Sequence, residues 1–111
     1  MLKSSNDSNF KEISVVELEA LLQQGNVCLL DVRTDAEVAH GMIPQSKPMP
    51  LHLISKHLPE LDKSVPTVFY CQMGGRSAQA AAFAAANGFA DVYNLRGGIT
   101  AWIHAGLPME A

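Results

Sequence analysis

The residues with the clearest chemical potential lie in one short loop, residues 71–77, which reads CQMGGRS. Cys71 supplies a thiol, and a thiol is a useful nucleophile only when it is ionised. The glycine pair Gly74 and Gly75 lets successive backbone amides turn toward an anion, because neither residue has a Cβ in the way. Arg76 adds the one formal charge of the loop. This combination predicts a nucleophilic cysteine held as an anion at the start of a helix.

The loop must lower the pKa of the Cys71 thiol, since a free cysteine has a pKa of about 8.5 and is only slightly ionised at neutral pH. Lowering a pKa by about two units requires roughly 2.7 kcal/mol. A helix N-terminus contributes about 0.3–2 kcal/mol, and an amide hydrogen bond to a charged acceptor contributes about 1.5–3 kcal/mol. The amides of residues 72–77 are therefore sufficient, and no neighbouring histidine is required as a base.

The elements on either side place this loop at the edge of a sheet. Residues 67–71, TVFYC, are β-branched and aromatic and predict a central strand that ends at Cys71. Residues 76–88, RSAQAAAFAAANG, predict a helix that stops at Asn87 and Gly88. Ligands of open α/β sheets bind beyond the carboxyl ends of the strands, so a site is expected at this junction.

Helices and strands alternate along the rest of the chain. Residues 14–25 predict a helix with Ser14 as N-cap, Glu17 completing a capping box and Gly25 at its end. Residues 27–32 form an apolar run typical of a strand buried on both faces. Further helices are expected over 34–41, capped by Thr34 or Asp35, over 51–61, where Pro59 ends or kinks the helix, and over 97–106. A brief edge strand is expected within 43–51 and another strand over 91–95. The expected fold is a single α/β domain with a central, mostly parallel five-stranded sheet and helices on both faces.

Length and composition limit the classes of protein that are expected. The chain has 111 residues, of which 48% are apolar and 17% charged, and these values are typical of one folded domain. Its eight Lys and Arg residues are scattered singly, so no nucleic-acid partner is expected. No membrane partner is expected either, since no apolar stretch approaches the roughly 18 residues of a spanning helix. Residues 1–9 are polar and predict a flexible segment without a secretory signal, ahead of a domain over residues 10–111 in a cytoplasmic protein.

Several other residues are interpreted as structural. Cys28 lies inside an apolar strand and is expected to be a small buried side chain. Gly97 and Gly98 are expected to form a tight turn between a strand and a helix. Met73 is expected to be exposed at the rim of the loop, where it could contact a substrate or partner. The four histidines stand at no recognisable ligand spacing, so neither a metal nor an organic cofactor is expected.

Three motifs, in order, resemble the rhodanese family of sulfurtransferases over nearly the whole chain, from about Phe10 to Pro108. Residues 29–44, LLDVRTDAEVAHGMIP, resemble the amino-terminal signature of that family, apart from Met42, Gln45 and Ser46 in and just after its closing turn. The loop CQMGGRS is similar to the Cys-x-x-Gly-x-Arg-Ser active-site loop. Residues 95–108, LRGGITAWIHAGLP, match the closing Gly-Gly-x-x-x-Trp-x-x-x-Gly-x-Pro pattern.

The resemblance implies a single-domain enzyme of the thiosulfate sulfurtransferase type. Cys71 would take a sulfane sulfur from thiosulfate or a similar small anion, hold it as a persulfide and pass it to cyanide or a thiol. The resemblance also implies that Asp31 hydrogen-bonds the backbone near the loop and that Arg33 pairs with Glu37, or that both residues hold the strand end to the next turn. The substrate-binding residues would be those of the loop, Gln72, Met73, Gly74, Gly75, Arg76 and Ser77.

Alternatives remain open at this point. The chain could be a persulfide carrier that delivers sulfur to a protein partner, or a non-enzymatic module that docks an anion or a partner. Silent relatives of the family usually lack the cysteine, so the presence of Cys71 favours an enzyme. Four residues separate Cys71 from Arg76, one fewer than in related phosphatases, and the loop holds no acid to protonate a leaving alkoxide. A phosphatase is therefore disfavoured.

Overall fold

Five short parallel strands form the centre of the molecule. The strands are β1 (Lys11–Ile13), β2 (Cys28–Asp31), β3 (Lys47–Pro48), β4 (Thr67–Tyr70) and β5 (Val92–Leu95). They lie in the order β1-β5-β4-β2-β3, and every pairing between neighbours is parallel. The computed structural model describes residues 10–111, and the predicted flexible segment of residues 1–9 lies outside the described residues. The expected five-stranded α/β architecture is confirmed.

Five helices accompany the strands. They are α1 (Val15–Gln24), α2 (Asp35–Val38), α3 (Ile54–His57), α4 (Gly75–Ala86) and α5 (Gly98–His104). The helix expected over residues 51–61 is interrupted near Pro59, as predicted, but it is shorter than expected, because single 3-10 turns at Leu51–Leu53 and Leu58–Glu60 flank α3. Pro59 explains the second break, since a proline has no N–H with which to continue an α-helix. None of the helices within residues 10–111 combines the length and apolar character needed to cross a membrane.

Two of the helices begin as their sequences predict. The Ser14 hydroxyl accepts from the Glu17 amide at 3.1 Å, and the Glu17 carboxylate accepts from the Ser14 amide at 2.9 Å. Thr34 and Glu37 form the same reciprocal pair at the start of α2. Each pair satisfies amides that the first helical turn leaves without partners, which fixes where the helix begins.

Side chains of the central strands alternate between two hydrophobic cores. Leu30 and Phe69 point to one face, where they pack with residues of α3 and α4. Leu29 and Val68 point to the other face, where they pack with residues of α1 and α5. Helices therefore cover both faces, as predicted. Cys71 belongs to the first core, so its loop leaves the sheet on the α4 side.

Candidate active site

The loop connects the end of β4 to the first turn of α4, and its backbone depends on one of its two glycines. Gly74 has φ +116°, a left-handed value that other residues adopt only with strain. Gly75 has no positive φ, and a Cβ built on it would meet nothing within 4 Å. Gly74 is therefore required by its backbone conformation, whereas Gly75 is open to substitution.

The sulfur of Cys71 is surrounded by hydrogen-bond donors. The Gly74 amide donates to Sγ at 3.1 Å, the Ser77 amide at 3.4 Å and the Ser77 hydroxyl at 3.3 Å. Cys71 is only 2% exposed, and burial raises the pKa of its thiol. The hydrogen bonds from Ser77, Gly74 and the Met73 amide outweigh burial, so the pKa lies below its ordinary value. The loop therefore stabilises the thiolate through backbone and hydroxyl donors, as the sequence predicts.

The charge of Arg76 is taken up by a carboxylate. Its two terminal nitrogens donate to the two oxygens of Glu37 at 2.7 and 2.8 Å. This pair, together with the hydrogen bond from the Thr34 amide, lowers the pKa of Glu37 to about 2. Arg76 thus ties the loop to α2, and its charge is balanced at the rim of the site.

The predicted pairing of Arg33 with Glu37 is wrong. Arg33 donates to the Asp31 carboxylate through Nε at 3.0 Å and Nη2 at 2.7 Å, and Nη2 also donates to the Gly41 carbonyl at 2.7 Å. Asp31 accepts from the amide of Arg33 at 3.0 Å, rather than from the backbone of the loop. Both side chains are buried, so removing either charge would leave the other buried without a partner. They hold the end of β2 to the turn at Gly41, which is the second of the two roles predicted for this pair of residues.

The first turn of α5 binds the backbone of the loop through two hydrogen bonds. The amides of Ile99 and Thr100 donate to the carbonyls of Cys71 and Gln72, at 2.9 and 3.2 Å respectively. A Cβ on Gly98 would lie 2.5 Å from both carbonyl oxygens, and Gly98 also has φ +60°. The glycine pair therefore does more than turn the chain after β5, because Gly98 lets α5 approach the loop closely enough to bind its backbone.

Two residues that the sequence did not single out lie directly behind the site. Asn94 lies on β5, and its Oδ1 is 2.5 Å from Ser77 Oγ, as a second acceptor for the same hydroxyl. Its Nδ2 donates to the Glu12 carboxylate, at 3.1 Å to the nearer oxygen, and to the Gly74 carbonyl at 3.3 Å. Glu12 and Asn94 are register partners in the β1–β5 pair. The pairing of β1 with β5 brings the two residues together behind the loop.

The outer side of the loop remains accessible. Met73 is 66% exposed, which confirms its predicted place at the rim. Gln72 is half-buried, and its side-chain amide donates to the Thr100 hydroxyl at 3.1 Å. Within residues 10–111, the amides of Gly75 and Arg76 have no hydrogen-bond acceptor. These two N–H groups are available to an anion that approaches Cys71 from solvent.

The second cysteine lies apart from this chemistry. Cys28 is half-buried in β2, where burial raises the pKa of its thiol and the charge of Lys47 only partly offsets that effect. Cys28 is therefore less buried than predicted, and it lies in a strand outside the active-site loop. Within the part of the chain that the structure describes, no three His, Cys, Asp or Glu side chains form a group that could hold a metal ion.

The protein is an α/β domain with a parallel sheet, and its candidate active site is a cysteine loop between a central strand and a helix. Comparison with known proteins gives the family. The model of the rhodanese-like domain matches residues 14–105. A sulfurtransferase of Allochromatium vinosum is 43% identical, over 89% of this chain and 96% of its own length. The thiosulfate sulfurtransferase GlpE of Pseudomonas syringae is 37% identical, over 86% of this chain and 89% of its own length.

The solved structures agree with the sequence relatives. The crystal structure of a rhodanese-related protein from Thermoplasma volcanium superposes with a TM-score of 0.84 at 27% identity, over 91% of this chain and 98% of the other. The chain belongs to the rhodanese-like domain family.

Proposed function

We propose that this chain moves a sulfane sulfur from thiosulfate or a similar donor to cyanide or a thiol, through a persulfide on Cys71. Its relatives include sulfurtransferases, and the chain is a transferase of the rhodanese type. The observation that carries the proposal is the sulfur of Cys71 with its three donors from Gly74 and Ser77, which lower the pKa of the thiol despite burial.

The first half of the reaction loads the cysteine. The Cys71 thiolate attacks the outer sulfur of thiosulfate, so a new bond forms between Sγ and that sulfur. The bond between the two sulfurs of thiosulfate breaks, and its electron pair leaves with sulfite. The negative charge that began on Sγ now lies on the outer sulfur of the persulfide. The amides of Gly75 and Arg76, which follow Gly74 in the loop and have no acceptor within residues 10–111, donate hydrogen bonds to this charge.

The second half returns the enzyme to its starting state. Cyanide attacks the outer sulfur of the persulfide and leaves as thiocyanate, and the electron pair of the broken sulfur–sulfur bond returns to Sγ as the thiolate. A thiolate acceptor reacts in the same way and leaves as a new persulfide. The donors from Gly74 and Ser77 then hold the charge on Sγ again, so the same cradle serves both the resting state and the leaving group.

A persulfide carrier for a protein partner is the second candidate, and two observations favour it. Arg76 is balanced by Glu37, so its charge is not fully available to a doubly charged donor such as thiosulfate. Met73 exposes an apolar side chain at the rim, where it can contact the organic part of a thiol or a protein acceptor. The second-order rate constants for reaction of the loaded protein with cyanide and with glutathione separate the two candidates. A carrier should react faster with the thiol, and Met73→Ala should reduce that preference.

Intact-mass spectrometry tests the persulfide directly. The intact mass of the protein is measured before thiosulfate is added, after it is added and after a final addition of cyanide. The expected result is a gain of one sulfur atom that cyanide removes, present in Cys28→Ser and absent in Cys71→Ser. Cys28→Ser is the matched control because it removes the other thiol of the chain. No gain from either thiosulfate or inorganic polysulfide would favour a non-enzymatic module that docks an anion.

A further inference from the structure

The hydroxyl of Ser77 has one hydrogen and two acceptors within reach. The Cys71 sulfur lies 3.3 Å from Ser77 Oγ, and Asn94 Oδ1 lies 2.5 Å from the same atom. A hydroxyl donates one hydrogen at a time, so these two hydrogen bonds exclude each other. Ser77 is fully buried and Asn94 is 4% exposed, so bulk water does not readily replace the missing partner. The geometry therefore describes two alternative states of one hydroxyl.

The orientation of the Asn94 amide is fixed by its other neighbours. Nδ2 faces the Glu12 carboxylate and the Gly74 carbonyl, both of which can only accept hydrogen bonds from it. The amide oxygen must then face Ser77. Glu12, on the edge strand, thus ensures that the group behind Ser77 is an acceptor.

We propose that Asn94 is a positioning residue that forms a hydrogen-bond switch with Ser77. The Ser77 hydroxyl donates to Asn94 Oδ1 when Cys71 Sγ carries no charge, and it rotates to donate to Sγ when Sγ is a thiolate. This proposal rests on the proposed function, in which the charge leaves Sγ each time a persulfide forms. The rotation moves no proton between heavy atoms and breaks no covalent bond.

The switch gives Asn94 a definite effect on the cysteine. Without an alternative acceptor, the Ser77 hydroxyl would favour the thiolate at all times, and the loop would hold the charge on Sγ more firmly. With Asn94 present, the hydroxyl is satisfied in both states, so the neutral sulfur of the thiol or the persulfide is not penalised. Ser77 and Asn94 therefore act in opposite directions: Ser77 favours the thiolate, and Asn94 favours the uncharged sulfur.

The charged groups around the loop act on the same equilibrium and must be held constant. Arg76 on α4 acts on Cys71, and it is paired with Glu37 on α2. Asp31 on β2 is paired with Arg33, and Glu12 on β1 lies behind Asn94. Substitutions at Ser77 and Asn94 leave all of these charges in place. A difference in the Cys71 pKa between the two variants therefore reports the hydrogen bonds of the Ser77 hydroxyl.

The test is the pH dependence of Cys71 alkylation by iodoacetamide in the Cys28→Ser background, which reports the thiol pKa without requiring turnover. Ser77→Ala should raise that pKa, and Asn94→Leu should lower it, each by about half to one pH unit, which corresponds to one hydrogen bond. A purely structural role for Asn94 would loosen the cradle and raise the pKa in both variants. A pKa in Asn94→Leu that is unchanged or raised would overturn the switch.

Glu12 gives a second measurement if Asn94→Leu does not fold. Glu12 lies at an exposed position of the edge strand, so its substitution is tolerated by the core. Glu12→Ala releases the Asn94 amide to turn over and should lower the pKa of Cys71, whereas Glu12→Gln keeps an acceptor and should have a smaller effect. Equal shifts in both variants would assign the effect to charge and refute the switch. Failure of the proposed function is recognised separately, because wild-type protein would then gain no sulfur in the mass measurement.

Discussion

Gly98→Ala is the substitution that most directly tests how the loop is held. Gly98 begins α5, and the next two amides bind the carbonyls of Cys71 and Gln72. A Cβ at this position would lie 2.5 Å from both carbonyl oxygens, and both are backbone atoms that cannot rotate away. The new methyl group and the loop must therefore separate, and the two hydrogen bonds between α5 and the loop lengthen.

The magnitude follows from two independent penalties. The left-handed conformation at φ +60° destabilises an alanine by about 1–2 kcal/mol. Forcing a methyl group into a filled space costs about 1–3 kcal/mol more. The free energy of unfolding should therefore fall by about 2–5 kcal/mol. An ordinary contact begins at 3.4 Å, so the 2.5 Å separation must grow by about 0.9 Å. Since a 1 Å misplacement can cost about 100-fold in rate, we expect a loss of sulfur transfer of roughly 10- to 100-fold.

Gly75→Ala is the matched control, because it makes the same chemical change within the same site. A Cβ at Gly75 meets nothing within 4 Å, and the residue has no positive φ. Its unfolding free energy should stay within about 1 kcal/mol of wild type. Urea unfolding gives both stabilities, and the thiosulfate-to-cyanide assay is run at a temperature where all three proteins are folded. Equal stability and activity of Gly98→Ala and Gly75→Ala would show that α5 does not set the position of the loop.

Two further predictions concern charge. Glu37→Gln should lower the free energy of unfolding by about 1 kcal/mol at neutral pH, a value well below the full pKa shift because both members of its ion pair with Arg76 are about one-third exposed. The pKa of Glu37 is lowered from 4.5 to about 2, so this contribution is present above pH 4.5 and disappears as the pH falls toward 2. Urea unfolding of both proteins at several pH values checks this, and a gap that widens in acid would contradict it. The pKa of Cys71 should move by less than about 0.3 units between 0.01 and 1 M salt, because its donors are hydrogen bonds and the nearby cation is paired. A shift of about one unit in the alkylation profile would instead assign the thiolate to Arg76.

Local features of the fold were predictable from sequence because neighbouring residues decide them. Ser14 and Glu17 cap α1 wherever that helix lies, and Gly25 ends it in a left-handed conformation. The strand before Cys71 is defined by a run of β-branched and aromatic residues. The helix over residues 51–61 was predicted too long, because Pro59 and the turns around it allow only a short α-helical segment.

The partners of the charged residues were not predictable in the same way. The family resemblance implies that Arg33 pairs with Glu37, yet Arg33 binds Asp31 and Glu37 binds Arg76. Arg76 is 39 positions from Glu37 along the chain, and only the pairing of β2 with β4 brings them together. Arg76 and Glu37 therefore connect different elements, whereas Arg33 binds a carboxylate only two residues away at the end of β2.

The positions behind the loop required the sheet order for the same reason. Glu12 and Asn94 are 82 positions apart and meet because β1 pairs with β5. The role of Gly98 was only partly predictable, since a glycine pair after a strand indicates a tight turn. The close approach of Gly98 to the Cys71 carbonyl depends on where α5 lies. A buried asparagine in an otherwise apolar strand is the one local sign that could have drawn attention to Asn94.

The arrangement of charges explains which substitutions should matter most. Arg33 is balanced by Asp31 and Arg76 by Glu37, so both cations serve first to join elements of the fold. The sulfur itself is stabilised by N–H and O–H groups whose directions are set by β4, α4 and β5. The backbone N–H donors keep their positions when charge moves from Sγ to the outer sulfur, and only the Ser77 hydroxyl rotates. Catalysis should therefore be more sensitive to the positions of backbone groups, which Gly74 and Gly98 control, than to the removal of any one ion pair.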